Sequence, residues 1–326
     1  MPSLVVLNYH GVREKSRPDF LNFDGRFIEK KEFEKQVIFL KKNYSLLDVS
    51  SLKECFIGKK LPEKAALITF DDCYLNSFEN AVPVLKKHGV PAVFFIPTGL
   101  IGKGSCLPQD LLAKALDVSG SFVFLGETLK TKKLREKILI YGKIKRQLTG
   151  LLERKGGEEA MDFVSNILRE NGLGKKGLLD ESFLLMSWKE IKKMSDSGMA
   201  EFGSHTVSHA PLSKASPARI NSELLDSKKA IERKTGAECI SFAYPFGFYS
   251  HAAKKAAREK FFFSFTTKFG KASLKTDRSA MPRISMNNNY NSLFPLTMDI
   301  DLPSIHSKAI SLLINSKNLF VNSKNP

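Results

Sequence analysis

The chain has 326 residues, of which 42% are hydrophobic and 26% charged. This balance is ordinary for a globular protein with one large α/β domain or two smaller ones, and it excludes a disordered or fibrous chain. Lys and Arg number 51 against 34 Asp and Glu, a net charge of +17, which fits either an anionic partner or a basic solvated surface.

Strands and helices alternate along the chain. "LVVLNYH" reads as a strand, and "KKEFEKQVIFLKKN" as a helix with Phe33, Val37 and Leu40 on one face. "AALITF" is a strand, "LNSFENAVPVLKKHG" a helix ending at Gly89, and "VPAVFFIPTG" a strand. "SWKEIKKMSDSG" opens with a capping box, Ser187 and Glu190, and closes at Gly198. "MAEFGSH" is a strand, Pro217 to Gly236 a helix, and "CISFAYPFG" a strand and turn. A helix capped by Ser250, the strand "FFFSFTT" and the short strand "PRISM" follow. Repeated βα units predict an α/β fold on a parallel sheet, open or closed into a barrel.

Two segments break this rhythm. Residues 103–186 hold one convincing strand, "SFVFL"; from Lys130 to Lys155 there are ten Lys or Arg against two acids, with Leu and Ile at helical spacing. This predicts a mostly helical, basic insertion within a domain spanning 1–295, and 296–326 as a C-terminal tail or peripheral helix. The insertion is the segment suited to an anionic glycan or an anionic membrane surface. Nucleic acid is a weaker option, because its aromatics are too few to form a stacking surface. Four cysteines lack CxxC spacing, unlike a disulfide framework or structural zinc site. No basic leader and no apolar run of roughly 20 residues is present. The expected location is cytoplasmic, with a membrane-peripheral one as the variant.

In parallel α/β folds functional groups gather at the C-terminal ends of strands. Here those ends deliver His10, Asp71–Asp72, His205 and the turn Pro245–Phe246–Gly247. Adjacent carboxylates at a buried strand end are costly unless something uses them. In "GSHTVSHAPLS", His205 and His209 are four apart, and one helical turn would put both imidazoles on one side. Two imidazoles and one carboxylate form an open site for one divalent ion, Zn²⁺ first, with Co²⁺, Ni²⁺ or Fe²⁺ as alternatives. The second aspartate is then free to act as a general base.

"TFDD", "SHTVSH" and "FAYPFG" resemble the first three motifs of the polysaccharide deacetylase family (the NodB-homology domain, carbohydrate esterase family 4). "NYHGV", "PAVFFIPTG", the segment before His205 and "PRIS" are similar to its exopolysaccharide-deacetylase branch. The resemblance covers about residues 3–102 and 187–290. It implies a distorted (β/α)₇ barrel of the NodB type and metal-dependent removal of an N-acyl group, usually acetyl, from a sugar or polysaccharide. By motif position Asp71 matches the base, and Asp72, His205 and His209 the metal ligands. The Pro245–Gly247 turn, through the Phe246 N–H, would stabilise the oxyanion.

The chain departs from the family at four places. Cys73 stands where Gly is usual after the two acids, and could be a redox-sensitive neighbour of the metal. Ala243 stands where an arginine usually holds the catalytic aspartate. The Trp-centred fourth motif has no counterpart, the lone Trp being Trp188, and the C-terminal Leu-x-His that supplies the acid is absent. Arg283 is the replacement expected for the arginine. His10 is the expected acid, with His306 as its rival. A non-catalytic relative that binds carbohydrate or a membrane surface is the alternative function, and turnover of an acetylated probe separates the two. A non-haem iron oxygenase also uses two His and a carboxylate, but prefers a double-stranded β-helix, which βα repeats do not support.

Overall fold

Strands that are apolar on both faces must be covered on both, and that requirement organises the molecule. In the computed structural model, which describes residues 2–15, 20–102, 104–198 and 200–286, the first half runs β1 (Ser3–Tyr9), β2 (Gly11–Arg13), β3 (Phe27–Glu29), α1 (Lys30–Asn43), β4 (Ser45–Leu47), α2 (Val49–Ile57), β5 (Lys64–Phe70), α3 (Val82–His88) and β6 (Ala92–Ile96). The intervening segment forms α4 (Pro108–Val118), β7 (Ser121–Phe124), β8 (Glu127–Lys130), α5 (Leu134–Arg154) and α6 (Gly157–Glu170). The barrel resumes with α7 (Trp188–Asp196), β9 (Ala200–Ser204), α8 (Pro217–Thr235), β10 (Ser241–Ala243), α9 (His251–Lys260), β11 (Phe263–Phe265) and β12 (Ile284–Ser285). These residues belong to a compact unit, Met1–Asn289.

The main sheet pairs in the order β11–β10–β9–β6–β5–β1–β12, with β4 added on β5. Every pairing in it is parallel, so each crossover needs a covering segment, and helices supply most of them. Met281 pairs with Phe265 beyond one edge, and Ile284, three residues on, pairs with Leu7 at the other. A single short segment thus bridges the two edges and curls the sheet into a distorted barrel.

Strand alternation divides the residues between inside and outside. Leu4 and Val6 of β1, Leu67 of β5, Val93 and Phe95 of β6, and Phe263 and Phe265 of β11 fill the barrel. The alternate residues Tyr9, Phe70 and Phe94 stack as an outer ladder, with centroids 5.3 and 4.7 Å apart. The same alternation carries Leu67 and Thr69 inward, so that Asp71 follows them at the barrel mouth.

The structure corrects one sequence expectation and adds a helix. "LNSFENAVPVLKKHG" is not one α-helix: residues Ser77–Ala81 are π-helical and α3 begins at Val82. Pro83 lacks the N–H needed to continue the ladder, so the helix resets there. The added helix is α2, capped by Asp48, whose Oδ1 accepts from the Ser51 N–H at 2.6 Å.

Between β6 and α7 the chain contributes three helices and the β7–β8 hairpin. Leu125 and Gly126, both at positive φ, make its two-residue turn. Leu112, Phe122, Ile144, Leu148 and Val164 from this segment pack with Phe27 and Tyr74, so its core is continuous with the chain just after Asp71–Asp72. Leu184 and Leu185 then run antiparallel to Tyr74 and Leu75 on the way out. No helix among the described residues is long and apolar enough to cross a membrane. The expectations placed on 296–326 and on His306 lie outside the described residues.

Candidate active site

Asp71 follows β5, and its N–H donates to the Tyr9 carbonyl at 2.9 Å, which pins the strand end. Its carboxylate is gripped by Arg283: Nη1 donates to Oδ1 and Nη2 to Oδ2, both at 2.8 Å. Arg283 is fully buried and oriented by Nε donating to the Thr266 carbonyl at 2.9 Å. Nη1 also reaches Thr69 Oγ1 at 3.2 Å. Burial alone would raise the Asp71 pKa, but the Arg283 guanidinium outweighs it and holds the carboxyl below its usual range. Arg283, the residue expected to stand in for an arginine at Ala243, is thus paired with Asp71.

Asp72 turns the other way because its φ is +71°. Its Oδ1 lies 3.1 Å from His209 Nε2 and 3.5 Å from His205 Nε2. Neither contact has hydrogen-bond geometry, so this buried oxygen has no hydrogen-bond partner. His205 Nδ1 donates to the Ala243 carbonyl at 2.7 Å, which leaves Nε2 as the lone-pair nitrogen facing Asp72. Donor atoms of the three residues all lie within 4.8 Å of one another. Separations of 3.1 and 3.5 Å lie close to the edge of about 3.3–3.6 Å of a tetrahedron with metal–ligand bonds of about 2.0–2.2 Å. Three converging lone-pair donors, one orphaned, and an outer hydrogen bond on an imidazole fit a divalent cation. Burial raises the Asp72 pKa, but His209 and His205 hold it well below its usual range. Burial lowers His205, which Asp71 and Asp72 nonetheless raise overall, and burial keeps His209 lowered.

The His205–His209 spacing does not work through a helical turn. Thr206 and His209 both have positive φ, so this is an irregular loop. Glu223, buried on α8, holds it by accepting from the Val207 N–H at 2.8 Å and the Ser208 N–H at 3.0 Å. Five of the seven described non-glycine residues at positive φ are Asp72, Cys73, Thr206, His209 and Phe246. Such clustering marks a site whose surroundings over-determine it. Cys73, at φ +56°, holds a conformation that glycine adopts freely. Burial pushes its thiol well above the usual range, so it packs as a thiol rather than offering a reactive thiolate.

His10, Asp71, Asp72, His205, His209 and Phe246 line one cavity of about 210 Å³. The Phe246 ring stands edge-on to His209 at 4.7 Å. In the turn, Gly247 N–H donates to the Tyr244 carbonyl and Phe248 N–H to that of Pro245. The Phe246 N–H is not committed to any partner among the described residues. Gly247 has φ +75°, and a Cβ there would meet Thr267 Oγ1 at 2.0 Å.

The cavity also holds residues that strand-end reasoning missed: Asp24, Arg26, Gln109 and Lys145. Arg26 joins Asp24 and Asp110, each at 2.9 Å, and Tyr74, whose hydroxyl donates to Asp110 Oδ2 at 2.6 Å. The only sequence signal for it was an isolated acid on the apolar face of α4. Arg26→Met should leave Asp110 buried without its cation and cost about 3–5 kcal/mol. Urea unfolding measures this; a loss under about 1 kcal/mol would show that the network does not hold α4 to the barrel.

Residues 58–133 and 144–261 match the family described as Polysaccharide deacetylase. The poly-β-1,6-N-acetyl-D-glucosamine N-deacetylase of Staphylococcus aureus is 32% identical over 126 residues, 34% of this chain and 42% of that relative. The match therefore spans less than half of the relative's length. Among solved structures, the fold is shared with the Streptococcus pyogenes deacetylase PplD in complex with acetate (TM-score 0.61, 21% identity, 92% of this chain and 100% of that one). It is shared equally with IcaB from Ammonifex degensii (TM-score 0.57, 21% identity, 91% and 98%). A parallel sheet curled into a partial barrel, with this match over more than half of its length, makes the chain a member of the polysaccharide deacetylase family.

Proposed function

We propose that this chain is a metal-dependent hydrolase that removes an N-acyl group, most simply acetyl, from a sugar or polysaccharide. The observation that carries the reading is the division of labour between adjacent acids. Asp71 is ion-paired by Arg283, while Asp72 Oδ1 faces two imidazole nitrogens without a hydrogen bond. Asp72, His205 and His209 would hold the cation, Zn²⁺ first by donor type, with Co²⁺, Ni²⁺ and Fe²⁺ as alternatives. A divalent cation held there would supply Lewis-acid chemistry, polarising an acyl carbonyl and making water acidic near neutral pH.

The chain's own groups do the rest. Asp71, kept ionised and oriented by Arg283, accepts the proton of the attacking water on a carboxylate oxygen. The Phe246 N–H donates to the oxygen that gains charge as the carbonyl carbon becomes tetrahedral. His10, on the cavity wall, gives a proton to the leaving amine nitrogen. The products are acetate and a free amino sugar. The name of the Staphylococcus aureus relative points to N-acetylglucosamine polymers as the first substrates to try. Mass spectrometry should show loss of acetyl groups from such glycans, with Asp71→Asn as the inactive control. Absence of any loss from a metal-loaded chain across N-acetylated glycans would favour the non-catalytic, carbohydrate-binding alternative.

The His10 assignment has its own test. An amine leaves poorly unless protonated, whereas nitrophenolate leaves unaided. His10→Ala should therefore cut amide turnover by about 10²–10⁴-fold and ester turnover far less. Equal losses would instead make His10 a group that orients the site.

A further inference from the structure

Two polar side chains from the segment between β6 and α7 enter the cavity and have no part in the chemistry above. Lys145, on α5, lines it with its ammonium 5.6 Å from the ring centroids of both Tyr141 and Phe246. Phe246 in turn packs on His209, so the ammonium and the reacting groups flank the same aromatic ring. Lys145 forms no ion pair among the described residues. The nearby guanidinium groups are committed: Arg26, on the cavity wall, to Asp24 and Asp110, and Arg283, behind it, to Asp71. Gln109, on α4, is 3% exposed, lines the same cavity, and its Oε1 has no hydrogen-bond partner. A buried amide oxygen without a donor is costly, and a polar cavity beside it offers the place from which a donor can come.

Resting on the deacetylase reading, we propose that Gln109 and Lys145 are specificity-determining residues that grip the hydroxyls of the N-acylated sugar ring. Gln109 Oε1 accepts a hydrogen bond from one hydroxyl, and Lys145 Nζ donates to another. The sugar unit they select is an uncharged N-acyl hexosamine. An acidic sugar is not required, because the carboxylates of Asp24, Asp71 and Asp72 line the same cavity as Lys145. The barrel then supplies the reacting groups, and the inserted segment supplies the recognition.

The test compares Gln109→Leu and Lys145→Met with the wild-type, metal-loaded chain on an N-acetylglucosamine oligomer and on 4-nitrophenyl acetate, which has no sugar. The glycan KM should rise about 10-fold for Gln109→Leu and about 10–100-fold for Lys145→Met. The glycan-to-ester selectivity should fall by the same factors, with kcat much less affected. Gln109→Leu should be at least as heat-stable as wild type, since it deletes an unsatisfied buried oxygen, and a purely structural role for Gln109 would predict the reverse. Matching losses on glycan and ester would overturn the inference, as would an unchanged glycan KM in both variants. A Lys145→Met defect confined to carboxylate-bearing glycans would overturn the uncharged-sugar assignment. A wild-type chain that neither binds nor cleaves any N-acetylated glycan would overturn the deacetylase reading and this inference with it, whereas cleavage with unchanged KM in both variants overturns this inference alone.

Discussion

On the proposed assignment, Asp71→Asn is expected to lower deacetylation by about 10²–10⁴-fold while the chain keeps its full metal content. The amide is nearly isosteric and still accepts one hydrogen bond from Arg283, so the fold should survive, but it cannot take a proton from water. Asp72→Asn should behave differently. It weakens a donor that faces both imidazoles, so metal content and activity should fall together. Metal analysis of the two variants side by side separates base from ligand, and equal metal loss in both would show that the roles are shared or reversed. Arg283→Met extends the same argument to pH. Burial raises the Asp71 pKa and Arg283 lowers it below the usual value. Without the guanidinium the largest influence opposing burial is gone, only His205 and His10 still lower the pKa, and it rises. The acidic limb of the kcat/KM profile should then move to higher pH, because the base must be ionised to act. A limb that does not move would mean that Asp71 is not the group it reports.

His205→Ala is expected to abolish stoichiometric metal binding and, with it, hydrolysis. Losing only an outer partner of a metal ligand typically costs about 10–100-fold in metal affinity, and removing the ligand itself should exceed that. His205 is buried, with its Nδ1 donating to the Ala243 carbonyl, so the alanine variant also leaves a small void and an unpaired carbonyl. Circular dichroism of the variant must therefore accompany the metal analysis. His205→Gln keeps much of the volume and should lose the metal with less damage to the fold. Undiminished metal occupancy in a folded variant of either kind would sink the ligand assignment.

The two adjacent acids after "LITF", two histidines four apart and a Pro–Phe–Gly turn were legible in the sequence because they sit beside elements whose periodicity is strong. β5 is buried along almost all its length, so its boundaries follow from its continuous apolar run. The capping box of α7 and the Ser250 cap of α9 were legible for a similar reason: each is satisfied within three residues of its own chain. Local interactions leave local signatures.

What the sequence alone could not decide depends on distance along the chain. Arg283 and Asp71 are 212 positions apart, and their pairing exists because the segment from Met281 to Ile284 bridges the two edges of the sheet. The four-residue histidine spacing invited a helical turn, yet the loop is held in left-handed conformations by Glu223 from α8, a partner that no local propensity announces. Lys145 was one of ten basic residues in a charged run, indistinguishable from those that face solvent until the fold puts it on the cavity wall. Sequence pattern determines which face of an element is buried, because that follows from the period of the element itself. Which charge meets which counter-charge is set only when non-consecutive elements pack, because a buried ion pair is stable only where desolvation of both partners is offset in one three-dimensional arrangement.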